Sequence, residues 1–575
     1  MKIALIQQNY HIGNFEGNTN KIIEGIHRAK QAGAELAVFT ELAVCGYPPR
    51  DFLEFEDFIN KSYDAVDKIR KESDAIGVIV GGPARNSVRE GKDYFNAAWF
   101  LYEQKIIAVA HKTCLPNYDV FDEYRYFEPA FDWKTISFKG KKIALTICED
   151  LWNLGDNPLY RICPMDKLIE QSPDFMINIS ASPFDYDHDE DRKEIIRANV
   201  LKYKLPMFYC NTVGSQTEIV FDGGSLVYDA CGQLVRELKY FEEDFAVIDY
   251  EEEKFNVTKN KKGPLRQAPV AEFDKEMRVS KIKDPNRIIE YLTAEKNICE
   301  IYQALILGIR DYFRKMGFSK AILGSSGGVD SAVTLALACD ALGKENVRAI
   351  LMPSKFSSAH SVEDASILSK NLGNPYDIIP INDIYESFIQ TLHPTFKNLP
   401  FGLAEENIQS RSRGNLLMSI ANKFGYILLN TSNKSELATG YGTLYGDMAG
   451  GLSVLGDVYK MQVYALAKFI NRNHEMIPNN ILEKAPSAEL RPDQKDSDSL
   501  PEYELLDKVL YQYIERRQGP REIMAMGIDE ELVTRVLRLV NSNEYKRNQF
   551  CPIVRVSCKA FGIGRRVPIV GKYLS

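Results

Sequence analysis

Three residues with the chemistry of covalent catalysis stand at the ends of apolar runs. Cys148 closes the run Ile143-Ala144-Leu145-Thr146-Ile147, Glu41 follows Val38-Phe39-Thr40, and Lys112 follows Lys105–Ala110. A thiol is a strong nucleophile only as thiolate, so it needs a base and usually a nearby cation. Glu41 can take the proton, and Lys112 can stabilise both the thiolate and the oxyanion of a tetrahedral intermediate. Taken singly, each is an ordinary residue, a structural thiol or a solvated loop charge. At three strand ends together, they are the residue types that nucleophilic chemistry requires. A second cluster, Gly324-Ser325-Ser326-Gly327-Gly328-Val329-Asp330-Ser331, lies between the apolar Ala321-Ile322-Leu323 and the helical pattern Ala332–Leu342. Its glycines let backbone N–H groups converge above a helix N-terminus, where free amides and the helix dipole favour phosphate oxygens. The cluster lacks the Lys-[Ser/Thr] ending of the kinase-type phosphate loop and the glycine spacing of a dinucleotide fingerprint.

The elements that must hold these groups alternate along the chain. Short β-branched runs are expected as strands at Ile3–Gln8, Leu36–Thr40, Gly77–Gly81, Ala97–Tyr102, Lys105–Ala110, Ile143–Cys148, Phe175–Ile179, Met207–Cys210 and Phe245–Tyr250, with amphipathic helices between them. A polar stretch, Glu251–Asp274, then carries the basic cluster Lys259–Pro264 and reads as a solvated linker. Beyond about Arg287, a long helix leads into strands at Ala321–Leu323, Val347–Met352, Tyr376–Ile381 and Tyr426–Leu429, with a helix at His360–Asn371. That alternation predicts a doubly wound parallel sheet, whose ligands sit at the carboxyl ends of its strands, where the Gly324–Ser331 loop falls. An α/β protein is expected, divided into residues 1–250, a connection 251–286, and residues 287–575 that end in helical and then irregular chain.

Composition narrows the class. With 575 residues, 45% hydrophobic and 26% charged, the chain has core enough for two or three domains. A net charge of -8 argues against nucleic-acid and anionic-membrane surfaces, which need clustered Lys and Arg. The ten cysteines contain no Cys-x-x-Cys pair and the seven histidines no His-Glu-x-x-His spacing, so neither a disulfide scaffold nor a zinc site is expected. The N-terminus is too soon polar for a signal peptide, and no run reaches transmembrane length, so a cytoplasmic location is expected.

The loop Ser326-Gly327-Gly328-Val329-Asp330-Ser331 resembles that of the ATP pyrophosphatases, which cleave ATP to AMP and pyrophosphate while activating a carbonyl-type oxygen. The words Phe39-Thr40-Glu41-Leu42, Lys112 with Leu115-Pro116-Asn117, and Cys148-Glu149-Asp150-Leu151-Trp152 resemble those of the nitrilase superfamily, whose Glu–Lys–Cys triad has this chain order. That resemblance implies an αββα sandwich over residues 1–250 and a second glutamate at Glu123. The two together, in this order, are similar to the glutamine-dependent NAD synthetases over essentially the full length. Further words support it: Asn407-Ile408-Gln409-Ser410-Arg411, Asn430–Glu436, Thr443–Asp447, Val458-Tyr459-Lys460, Lys484–Leu490 and Glu544-Tyr545-Lys546-Arg547. The resemblance implies an amidase that frees ammonia from glutamine, beside an activating site that adenylates deamido-NAD with ATP and Mg²⁺; a homo-oligomer is expected. Asp330 and Glu436 offer hard oxygen ligands for Mg²⁺. Gly324 to Ser331, with Thr431 and Lys460, fall to ATP, and Asn407, Glu436 and Lys546 to deamido-NAD. Tyr118, Glu123, Ser182 and His188 fall to glutamine. Two departures stand out. Leu444 replaces a substrate-binding lysine of the ammonia-only relatives, and an acidic run, Phe184-Asp185-Tyr186-Asp187-His188, replaces a commonly basic residue after Ser182-Pro183. Two alternatives remain open at this point: another ATP-pyrophosphatase amidotransferase, such as GMP or asparagine synthetase, and a nitrilase-like regulatory module on a transfer enzyme.

Overall fold

The computed structural model describes residues 1–154, 159–186, 188–255, 285–397, 399–492 and 494–573. It divides into two compact units, Met1–Val279 and Ser280–Ser575. Most of the connection expected from the sequence, including Lys259–Pro264, lies outside the described residues. Its start does not: Glu252–Phe255 form a helical turn, and Phe255 joins the core of the first unit, so that unit continues past residue 250.

The first unit is built on two six-stranded sheets. One runs in the order Asp244–Asp249, Lys2–Gln7, Leu36–Val38, Gly77–Arg85, Tyr94–Tyr102, Lys105–His111. The other runs Leu234–Glu237, Leu226–Tyr228, Met207–Asn211, Phe175–Ser180, Lys141–Ile147, Ile136–Phe138. The two-residue period of a strand explains how both faces are used. In Lys2–Gln7, Ile3 and Leu5 point into the seam between the sheets, where they share a core with Val38, Ile79, Ile143, Ile147, Ile177 and Phe208. Ala4 and Ile6 point the other way, onto Ile22 and Ile26 of the helix Phe15–Gln31 and Val66 and Ile69 of Glu56–Lys71. The second sheet is covered by Met165 of Pro164–Leu168 and Ile196 and Val200 of His188–Tyr203. The layers are therefore α, β, β, α, as the resemblance implied.

The second unit carries a wholly parallel five-stranded sheet, ordered Tyr376–Ile378, Val347–Leu351, Ala321–Gly324, Ile427–Asn430, Leu452–Ser453. The chain order reverses between Ala321–Gly324 and Ile427–Asn430, and the crevice beyond the carboxyl ends at such a point is where ligands bind in this architecture. Two differences from the sequence reading bear on the site. The helix after the glycine loop starts at Val329, not Ala332, so Asp330 and Ser331 belong to its first turn. The strand Tyr376–Ile378 is also three residues shorter than expected, since a helix begins at Asn382.

Candidate functional site

Each unit places its chemistry at strand ends. In the first, Glu41 follows Leu36–Val38, Lys112 follows Lys105–His111, and Cys148 follows Lys141–Ile147 as the first residue of the 3₁₀ turn Cys148–Leu151. Cys148 has a left-handed backbone, φ +43°, which costs a residue with a side chain roughly 1–2 kcal/mol. The turn after Glu41 is equally tight, with φ +46° at Leu42. It lies so close to Gly81 that a Cβ there would meet the Leu42 nitrogen at 2.2 Å, so only glycine lets the two segments pass.

The side chains converge. Lys112 Nζ donates to Glu41 Oε1 and Glu123 Oε1, both at 2.7 Å, and Lys112 is wholly buried. Asn96 Nδ2 donates to Glu41 Oε1 at 2.7 Å and Glu123 Oε2 at 3.1 Å, bridging the two carboxylates. Tyr47 donates to Glu123 Oε1 at 2.8 Å, and the Ala181 amide to Glu41 Oε2 at 2.8 Å. Burial disfavours charge on Lys112, but Glu123, Glu41 and Cys148 outweigh it and hold its pKa well above the ordinary value. Burial pushes Glu123 up to about 7; Lys112 pulls it down and Glu41 pushes it further up. Cys148 is likewise raised, by burial first and the Glu41 charge second, against Lys112 and the Ser180 hydroxyl. The resting sulfur is therefore a thiol, and it needs a base at the moment of attack rather than a preformed thiolate.

Of the expected glutamine residues, Glu123 belongs to this cluster and Tyr118 lies beside it. The Tyr118 hydroxyl donates to Glu149 Oε1 and Oε2 at 2.9 and 3.1 Å, and Tyr160 reaches Glu149 Oε1 at 3.3 Å. Ser182 is buried, its amide donating to Asn211 Oδ1 at 3.0 Å. His188 begins a helix, but its side chain lies outside the described residues. Sequence reasoning left Asn96, Glu149 and Asp150 without roles. The last two sit inside the quoted Cys148 word, while Asn96 has no local signal.

In the second unit, the glycine loop opens a cavity of about 300 Å³. Gly327 has φ +78°, and a Cβ there would lie 2.3 Å from the Ser361 carbonyl oxygen. Ser326 and Ser331 hydroxyls lie 3.2 Å apart, and the Gly328 amide donates to Ser326 Oγ at 3.3 Å, which shapes the cradle. All eight residues from Gly324 to Ser331 line the cavity, with Thr431, Glu436 and Lys460. Lys460 Nζ meets Asp330 Oδ2 at 2.5 Å and Glu436 Oε1 at 3.5 Å, while Asn433 Nδ2 donates to Asp330 Oδ1 at 2.8 Å. Burial, then the charge on Asp330, pushes Glu436 up to about 8 against the pull of Lys460. Asn407 and Lys546 are not among the residues lining that cavity; they meet one neighbouring segment instead. Thr443 Oγ1 donates to Asn407 Oδ1 at 2.8 Å, and Lys546 Nζ to the Gly440 and Gly442 carbonyls at 2.8 and 2.9 Å.

Three cations line the cavity. Lys460 is paired as above and Lys484 with Glu489 at 2.5 Å. Arg413 forms no ion pair among the described residues: its Nε donates to the Met352 carbonyl at 3.0 Å. Arg413 stands two residues beyond the quoted Asn407–Arg411 word, and the sequence reading did not mark it as a cavity residue.

These features fit known proteins over their whole length. The Carbon-nitrogen hydrolase family model matches residues 2–254, and the NAD synthase family model matches residues 301–550. A glutamine-dependent NAD(+) synthetase of Synechocystis is 42% identical over 574 residues, which cover 99% of this chain and 98% of that protein. The chain belongs to the glutamine-dependent NAD(+) synthetase family. The family member of Thermotoga maritima is 40% identical across 100% of this chain and 99% of its own. A solved structure of the Acinetobacter baumannii glutamine-dependent NAD(+) synthetase, in complex with ADP, is 37% identical, covers 99% of this chain and 98% of its own, and superposes with a TM-score of 0.73. Leu444 directly follows Thr443, the partner of Asn407, and its carbonyl accepts from Arg411 Nε at 3.2 Å.

Proposed function

We propose that the chain hydrolyses glutamine in the first unit and uses the ammonia to convert deamido-NAD to NAD in the second. The observation that carries this reading is the presence, on one chain of full family length, of a buried Glu41–Lys112–Cys148 constellation and a glycine phosphate cradle with Lys460.

At the first site, Cys148 sulfur attacks the glutamine amide carbon as its proton passes to Glu41. Lys112 stabilises the tetrahedral oxyanion, and the amide nitrogen leaves as ammonia with the proton returned from Glu41. Water, deprotonated by Glu41, then cleaves the thioester to glutamate and free thiol. Tyr118, Ser182, His188 and Glu123 are assigned to holding glutamine.

At the second site, a carboxylate oxygen of deamido-NAD displaces pyrophosphate from the α-phosphorus of ATP, and ammonia then displaces AMP to leave the amide. The loop of residues 324–331 and Lys460 hold the ATP phosphates, Thr431 lies beside ATP, and Asn407, Glu436 and Lys546 hold deamido-NAD. The residues fit Mg²⁺: the carboxylates of Asp330 and Glu436 converge on one ammonium, Lys460, and offer hard oxygen donors. Bound there, the ion would neutralise charge on departing pyrophosphate. ATP use is supported by the ADP held by the Acinetobacter relative. We place the reaction in the cytoplasm, in a homo-oligomer. No described helix is long and apolar enough to cross a membrane. The test is one incubation with ATP, Mg²⁺, glutamine and deamido-NAD, scored for NAD, AMP and glutamate in equal amounts. Glutamate without NAD would overturn the synthetase half.

A further inference from the structure

Asp150 is buried, two residues beyond Cys148, and none of the steps above uses it. Its Oδ1 accepts the Thr113 amide at 3.0 Å and the Cys114 amide at 2.9 Å, and its Oδ2 accepts the Ile147 amide at 3.0 Å. Thr113 and Cys114 directly follow Lys112; Ile147 directly precedes Cys148. One carboxylate therefore joins the backbone that carries the ammonium to the backbone that carries the thiol. The Lys112 side is otherwise fixed at Lys112 itself, whose amide donates to the Asn96 carbonyl at 2.8 Å and whose carbonyl accepts from Ala130 at 3.0 Å. The Cys148 side is a turn with a left-handed residue at its apex, a conformation that persists only when its surroundings over-determine it. A carboxylate with three N–H donors at these distances is such a surrounding.

We infer that Asp150 is a positioning residue, which sets the relation between Lys112 and Cys148 and through it the ease with which Cys148 loses its proton. The inference rests on the reading of Cys148 as nucleophile. Burial raises Asp150 to about 6, against the pull of its amide donors and Lys112, so it is ionised at neutral pH. The other groups that face Cys148 are Glu41, Lys112 and Glu123, the Ser180 hydroxyl, and the phenols of Tyr47 and Tyr209.

Positioning and plain electrostatics predict opposite signs. Asp150 is an anion near the thiol, so deleting its charge with the geometry intact makes Cys148 more acidic. Releasing the Thr113–Cys114 backbone withdraws Lys112 and makes Cys148 less acidic. The experiment compares full-length wild type with Asp150→Asn, a near-isosteric change that turns an NH₂ group toward at least one of the amides. Iodoacetamide alkylation of Cys148 is followed against pH by peptide mapping, with glutamine hydrolysis, ammonium-dependent NAD formation and thermal melting measured on the same preparations. The expected result is a tenfold or greater loss of Cys148 alkylation at pH 8, an upward shift of its apparent pKa, and a 10- to 100-fold lower kcat for glutamine hydrolysis. KM for glutamine should change less than threefold, and ammonium-dependent synthesis should persist. An unchanged or lowered thiol pKa overturns the inference, whatever happens to activity. Should the Asn variant not fold, Asp150→Glu, which displaces the carboxylate by one methylene, carries the same readout. Alkylation needs no substrate, so the outcomes separate: wild type without glutamine hydrolysis defeats the catalytic reading, and an unshifted variant defeats only the role of Asp150.

Discussion

Cys148 meets every requirement of a covalent nucleophile except a low resting pKa, and that exception sets the burden on its neighbours. Cys148→Ala should abolish glutamine-dependent NAD formation by several orders of magnitude while ammonium-dependent formation survives, because the sulfur touches only the glutamine amide. Retained glutamine use, measured as glutamate release, would remove the triad. Lys112 is the charge balance of the same cluster. Lys112→Met leaves Glu41 and Glu123 facing each other in a buried site, a type of change that costs about 3–5 kcal/mol. It should lower the urea midpoint, and adding Glu123→Gln to it should recover part of the loss. The Glu123 proton gives a further sign. Its folded pKa, about 7, lies above the ordinary glutamate value of about 4.3. Between those values the native state binds more protons than the unfolded chain, so this group lowers stability as pH rises through that window. Glu123→Gln should gain stability relative to wild type on going from pH 5 to pH 8, read from urea midpoints at the two values; a gap that does not change with pH would contradict the shift. The residues to which the sequence reading gave no part in a site, Asn96, Glu149, Asp150 and Arg413, share a reason. Each is a polar side chain whose meaning comes from a partner on another element, and no spacing along the chain records that.

Elements were far more legible than contacts. Nine strands of the first unit are expected from β-branched runs, and all nine are present. Most are buried on both faces and so must be apolar at nearly every position, while the edge strand Lys105–His111 is apolar though exposed or half-buried. The missed strands, among them Ile136–Phe138, Val213–Gln216, Ile219–Asp222, Leu226–Tyr228, Leu234–Glu237 and Leu452–Ser453, are two to four residues long. At that length no period can be read, and Leu234 and Val235 are exposed, so even their burial gives no pattern. The glycine loop was legible because glycine is there for a steric reason. Gly327→Ala puts a Cβ 2.3 Å from the Ser361 carbonyl at φ +78°, so the loop and the helix Ala359–Leu372 must part. ATP affinity should fall at least tenfold with little change in glutamine hydrolysis, as measured by calorimetry with ATP and by glutamate release. Wild-type affinity in the variant would mean that the cradle is not where phosphate sits.

Two reactions on one chain raise the question of what passes between them. Ammonia in neutral water is mostly protonated and no longer nucleophilic, so release to solvent would waste nearly every glutamine hydrolysed. The chain should therefore transfer ammonia without exchange with bulk, and adenylate formation near Asp330 should raise turnover at Cys148. Expressed as binding, such a coupling is typically about 1–3 kcal/mol. The sequence could not reveal this link, because a transfer route is a property of assembled walls and not of any motif, and residues 256–284 lie outside those described. Isotope competition decides the matter. With saturating unlabelled glutamine and ¹⁵N-ammonium in the medium, the NAD amide should remain almost free of label at a bulk ammonium concentration that supports synthesis in the Cys148→Ala variant. That variant supplies the control, since its NAD must draw all of its nitrogen from the medium and become fully labelled. Label entering wild-type NAD in proportion to bulk ammonium would show that the two sites communicate only through solvent.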